Sequence, residues 1–195
     1  MRLRLASVLM MMLLTPCQIS AQTDVCGPFM TVLNVAIASA RAEDDSFSQY
    51  KGAPVGGNEG FDYYEAEGLS FPGEPSCAYS HKDTDREVDR VQCFWFVKSR
   101  DEAINGARAL IKALNGCLRA ADVGEFESGK SKSYAPVQAE ALISEKRIIA
   151  VEIQAQDTTR TSVDWDLTGS MVRSHAGQRA TVISLKITVL ERTST

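Results

Sequence analysis

Histidine is the scarcest chemical resource in this chain, with only His81 and His175 among 195 residues. No H-E-x-x-H or C-x-x-C spacing occurs, and no G-x-S-x-G elbow presents a serine. The common signatures of zinc proteases, thiol oxidoreductases and α/β-hydrolases are therefore missing. Long apolar runs are also missing beyond the first 21 residues. Even Ala180 to Leu190 is broken by Thr181, Ser184, Lys186 and Thr188, so no transmembrane segment of ~20 residues is expected there. Positive charge is in deficit: 21 Lys and Arg stand against 25 Asp and Glu, a formal net charge of −4. An acidic chain without a basic stripe suits a phosphate backbone poorly, and no nucleic-acid partner is expected.

The start of the chain is more explicit. Arg2 and Arg4 precede the apolar run Leu5 to Leu14, followed by Pro16 and a small-residue site ending Ile19-Ser20-Ala21. This is the three-part layout of a secretory signal peptide over residues 1–21. Cleavage after Ala21 leaves 174 residues, 22–195, enough for a single α+β domain, with 19 basic against 25 acidic side chains. The expected location is periplasmic or extracellular. An alternative is lipidation at Cys17 within Leu14-Thr15-Pro16-Cys17, although Pro16 stands where such a box wants a small residue. Either way Cys17 leaves the disulfide count.

Four cysteines then remain in an oxidising compartment, where they are expected to pair. Cys77 and Cys93 lie symmetrically about Asp85 in the polar stretch His81 to Asp89, so a hairpin would set them opposite each other. That preferred pairing leaves Cys26 with Cys117. The rival is Cys93 with Cys117 and Cys26 with Cys77.

Hydrophobic spacing sets the elements. Phe29, Val32, Leu33, Ala36, Ile37 and Ala40 predict a core-facing helix over residues 28–44, opened by Pro28 and ended at the acids Glu43, Asp44 and Asp45. Residues 46–76 carry repeated Gly and Pro and read mostly as an aromatic-rich loop. Val91, Cys93, Trp95 and Val97 form one face of a strand and Phe94 and Phe96 the other, as in a central strand covered on both sides. Ser99 and Glu102 make a capping box ahead of a second helix with the stripe Ile104, Ala107, Leu110, Ile111, Leu114, Cys117 and Leu118. Alternation in Ile149 to Ala155 and Ile183 to Val189 predicts two half-buried strands, with another around Trp165. The expected fold is an antiparallel sheet with two helices on one face, in the order helix, strands, helix, strands, closed by two disulfides.

Gly124 to Ser131 matches the spacing of a P-loop, but a helix precedes it, Pro136 follows, and Glu125 and Glu127 would repel phosphate. No nucleotide is expected. Asp83, Asp85, Glu87 and Asp89 alternate like the start of a calcium loop, yet Val88 and Phe94 replace its required Gly and terminal acid, so a solvated hairpin tip is expected and no metal. Both histidines are placed on exposed turns, and no catalytic residue is assigned. The aromatic loop supplies the binding candidates Phe61, Tyr63 and Tyr64, because Tyr and Phe on a polar segment anchor partners at low entropy cost. Phe61 and Phe71 are also expected to fold over the sheet. Adjacent residues on a strand face opposite ways, so one of Tyr63 and Tyr64 must point from the core.

Leu69-Ser70-Phe71-Pro72-Gly73 before Cys77, then Cys93-x-Trp95, then Leu114-Asn115-Gly116-Cys117-Leu118 resembles a pattern in small exported bacterial proteins of uncharacterised function. The resemblance implies an α+β domain with structural disulfides and no particular activity. The function expected is that of an exported, disulfide-stabilised, non-catalytic interaction or accessory protein of the bacterial envelope, with an unidentified protein partner and no cofactor. The alternatives are a small periplasmic hydrolase using His175 or a carboxylate such as Asp164, and an envelope lipoprotein with a scaffolding role.

Overall fold

Asp24 starts the first helix by accepting hydrogen bonds at Oδ1 from the N–H groups of Cys26 (3.1 Å) and Gly27 (3.2 Å), donors that the helix itself cannot satisfy. In this computed structural model the described residues are 24–58, 60–82, 87–126, 136–159 and 179–191. The expected signal peptide, Cys17, most of the P-loop match, Asp83, Asp85, the strand around Trp165, Asp164 and His175 lie outside them.

Helix α1 spans Cys26–Ala42 and buries the stripe Phe29, Val32, Leu33, Ala36, Ile37 and Ala40. A 3-10 turn, Ser46–Tyr50, leads into strands β1 (Lys51–Asn58) and β2 (Phe61–Ala66). Strands β3 (Ser76–Lys82) and β4 (Val88–Val97), helix α2 (Arg100–Ala120), and strands β5 (Val137–Leu142), β6 (Arg147–Thr159) and β7 (Arg179–Glu191) follow. The seven strands form one antiparallel sheet in the order β1-β2-β3-β4-β7-β6-β5.

The sheet dominates the α+β architecture, and much of the expected 46–76 loop belongs to it. Glycine and proline did not prevent a strand because β1 is an edge. Its ladder with β2 shifts register on both sides of Pro54, which has no N–H to donate. Strand β5 was not expected at all. Its inward positions Val137 and Ala139 are mostly small, so their alternation is a weak signal.

Both helices lie on one face. They share a core with Tyr79, Val91, Cys93 and Trp95 of the first half and Ile149, Val151, Ile153, Ile183, Leu185 and Ile187 of the second. Burying one such aliphatic side chain contributes about 2 kcal/mol. The other face carries a smaller buried group of Ala78, Phe94 and Val182, while Phe96 is half exposed. Strand β4 is central, as its two apolar faces require.

At the start of α2 the Ser99 hydroxyl accepts from the Glu102 N–H at 3.2 Å. Glu102 Oε2 reaches back to the N–H of Lys98 at 2.9 Å, one residue earlier than a strict capping box would place it. Disulfides join Cys26 to Cys117 and Cys77 to Cys93. The first ties the start of α1 to the end of α2, and the second links directly opposed residues of β3 and β4.

Three pieces of the sequence pattern meet at Trp95. Phe71 packs edge-on against its ring at 6.1 Å, and the indole Nε1 donates to the Pro72 carbonyl at 2.9 Å. Gly73 sits at φ +77°, and a Cβ there would lie 3.3 Å from the indole. The positive φ favours glycine, and a side chain there would press on the ring.

Candidate functional site

Strand alternation puts Tyr79, His81 and Asp89 on the helix-covered face, since His81 and Asp89 are Cα partners and Tyr79 stands two residues before His81. Asp89 is only 3% exposed. Its Oδ1 accepts a hydrogen bond from the Tyr79 hydroxyl and lies 2.8 Å from His81 Nδ1. Burial, then the hydrogen bond to Asp89, pushes the Tyr79 phenol far above the ordinary tyrosine range, so it stays a donor. His81 is thus on a strand and held by a carboxylate, not on the exposed turn expected from its polar neighbours.

Glu87 stands one residue before β4, and its carbonyl accepts from the Glu191 N–H at 3.1 Å, which prolongs the β4–β7 ladder. Arg147 opens β6 opposite Glu191. The ends of three strands therefore line up, and the Arg147 guanidinium reaches Glu87 Oε2 at 3.1 Å and the Asp44 carbonyl at 2.6 Å. A longer contact, 3.5 Å, runs to the Ser39 carbonyl. The Ser39 hydroxyl also donates to the Asp44 carbonyl, at 2.7 Å. Arg147 thereby clamps the carbonyl end of α1, whose negative dipole end favours a cation.

One connected polar system thus runs from Tyr79 through Asp89 and His81, with Glu87 and Arg147 beside it. His81, Glu87 and Asp89 offer ligand atoms that lie within 4.8 Å of one another. The sequence reading had Glu87 and Asp89 in a solvated tip and missed Tyr79 and Arg147. The signal for Tyr79 was present: it shares a strand face with Cys77 and His81, two positions away on either side.

The aromatic candidates divide between the two faces. Tyr64 is opposite Tyr79, 6.0 Å away between ring centroids, with the Lys51 ammonium 4.1 Å from its ring, and it packs against the main core. Tyr63 pairs with Ser80 and faces the other way. Phe61 lies 6.1 Å from it on the same side, with Arg90 at 4.8 Å and Lys82 at 5.3 Å from the Phe61 ring. Phe61 therefore sits on the sheet face away from the helices, whereas Phe71 does cover Trp95.

The remaining sequence candidates are structural. Cys93 and Cys117 are buried, and all four described cysteines are oxidised, so none is a thiol nucleophile. Among the described residues, no helix is long and apolar enough to cross a membrane. Comparison with protein families, with curated proteins and with solved structures gives no match for this chain.

Proposed function

We propose that this chain is an exported, disulfide-stabilised interaction or accessory protein of the bacterial envelope that works by contact rather than by catalysis. The observation that carries the reading is the position of Phe61 and Tyr63 on the sheet face away from both helices, with Lys82 and Arg90 beside the Phe61 ring. Half-exposed Phe96 continues that face. Aromatic rings bordered by cations combine apolar area with charge that complements an acidic partner. Two disulfides are compatible with the oxidising compartment expected from the signal-peptide layout of residues 1–21.

A small periplasmic hydrolase is the second reading, favoured by the imidazole of His81 held by buried Asp89. Among the described residues, no serine, threonine or cysteine side chain bonds to that ring. The contact reading is preferred for that reason.

A photo-crosslinking phenylalanine analogue placed at position 63 of the full chain in living cells is expected to give a discrete adduct, and the same analogue at position 64 none. Equal labelling from both positions, or none from 63, would overturn the reading. Intact mass of the recovered protein is expected to start at Gln22. A diacylated Cys17 would select the lipoprotein alternative, and retention of Met1 would remove export.

A further inference from the structure

We infer that His81, Glu87 and Asp89 form a binding site for a borderline divalent cation of the zinc class. The proposal goes beyond the contact reading and does not depend on it. Three observations converge. The ligand atoms of one imidazole and two carboxylates lie within 4.8 Å of one another, so small side-chain rotations bring them onto one ion. His81 Nδ1 and Asp89 Oδ1 are 2.8 Å apart, so parting them by about 0.6 Å gives the ~3.4 Å separation of tetrahedral ligands bound at about 2.1 Å.

The third observation is electrostatic. Asp89 is 3% exposed, and among the described residues no Lys or Arg pairs with it. Its partners among the described residues are a phenol and an imidazole that is charged only when protonated. A buried carboxylate without a lasting cation is costly, and a divalent ion removes that cost.

In the metal-bound form the imidazole is neutral, with its proton on Nε2 and the Nδ1 lone pair on the ion, which replaces the hydrogen bond to Asp89. Glu87 keeps Oε2 on Arg147 and presents Oε1. The Tyr79 hydroxyl donates to Asp89 Oδ1 and orients the carboxylate, as outer hydrogen-bond donors do for metal-binding carboxylates. One nitrogen and two carboxylate oxygens favour zinc, cobalt or manganese over calcium, which prefers six to eight oxygens. Three protein ligands leave at least one coordination position to water.

The test is calorimetric titration of the chelator-treated protein, disulfides intact, with Zn²⁺, and separately with Ca²⁺. One Zn²⁺ per chain is expected, weakened at least tenfold by His81→Ala and by Glu87→Gln, with Ca²⁺ binding much weaker. Far-UV circular dichroism and the thermal midpoint of each metal-free variant establish that it is folded. If His81→Ala unfolds, Glu87→Gln at the strand end carries the test. Absence of stoichiometric Zn²⁺ binding by the unaltered protein would overturn the proposal, as would equal affinity in folded variants or a preference for Ca²⁺.

Discussion

Cys26 and Cys117 stand 91 residues apart in the chain and are joined by a disulfide that ties the first turn of α1 to the last turn of α2. The bridge encloses β1 to β4, so it limits the unfolded chain far more than the 16-residue link between Cys77 and Cys93. In the loop-entropy picture the long bridge contributes between about 4 and 5 kcal/mol and the short one about 3. Replacing Cys26 and Cys117 together by Ala is expected to lower unfolding stability more than replacing Cys77 and Cys93, measured by urea denaturation. The reverse order would mean that the reduced chain keeps residual structure near the longer bridge.

Gly73 and Trp95 form a second fastening. Gly73→Ala is expected to cost about 1–2 kcal/mol, because the alanine must hold a left-handed backbone. Trp95→Phe removes the indole donor from the Pro72 carbonyl and is expected to cost about 1–3 kcal/mol. The two losses should combine to less than their sum in a double-mutant cycle, since both act on one contact.

Arg147→Gln is expected to destabilise the fold by about 2 kcal/mol, the scale of hydrogen bonds that involve a charge. Its signature is local: amide exchange should quicken at the end of α1, around residues 39–44, before it does so in α2. Uniform acceleration across both helices would show that Arg147 serves the whole core instead of the helix end.

Acid sensitivity has a defined source at the same helix end. The hydrogen bond from Lys146 holds the Glu43 carboxyl below its ordinary range, and the Ser46 side chain and N–H do so for Asp44. A carboxylate whose folded pKa is depressed adds stability fully present above its unfolded value. That stability fades as pH falls through the folded value. Stability should therefore decline as pH drops below the ordinary carboxylate values of 4.5 and 3.8. Lys146→Ala should flatten the Glu43 part of that decline in denaturation curves taken across the acid range.

The elements with strong periodicity were legible before any coordinates: α1, α2, β4, β6 and β7 each follow an apolar repeat of the right period. Strand β1 was not, because Gly52, Pro54, Gly56 and Gly57 give it the composition of a loop. Its pairing to β2 comes from an edge position that composition does not encode. His81 is the more instructive miss. The symmetry about Asp85 that sets Cys77 opposite Cys93 also sets His81 opposite Asp89, and Tyr79 opposite Val91. The polar run between them hid the fact that both strands continue past the cysteines. Arg147 could not have been found this way, since its partners Glu87 and Asp44 lie 60 and 103 residues distant.

Strand β7 lies between β4 and β6 and is the last described element of the chain. Until it emerges, β4 and β6 have no common neighbour, and the inner edges of two half-sheets stay unpaired. A chain that forms from its amino terminus therefore holds two unjoined half-sheets until β7 pairs with both, and the sheet closes late.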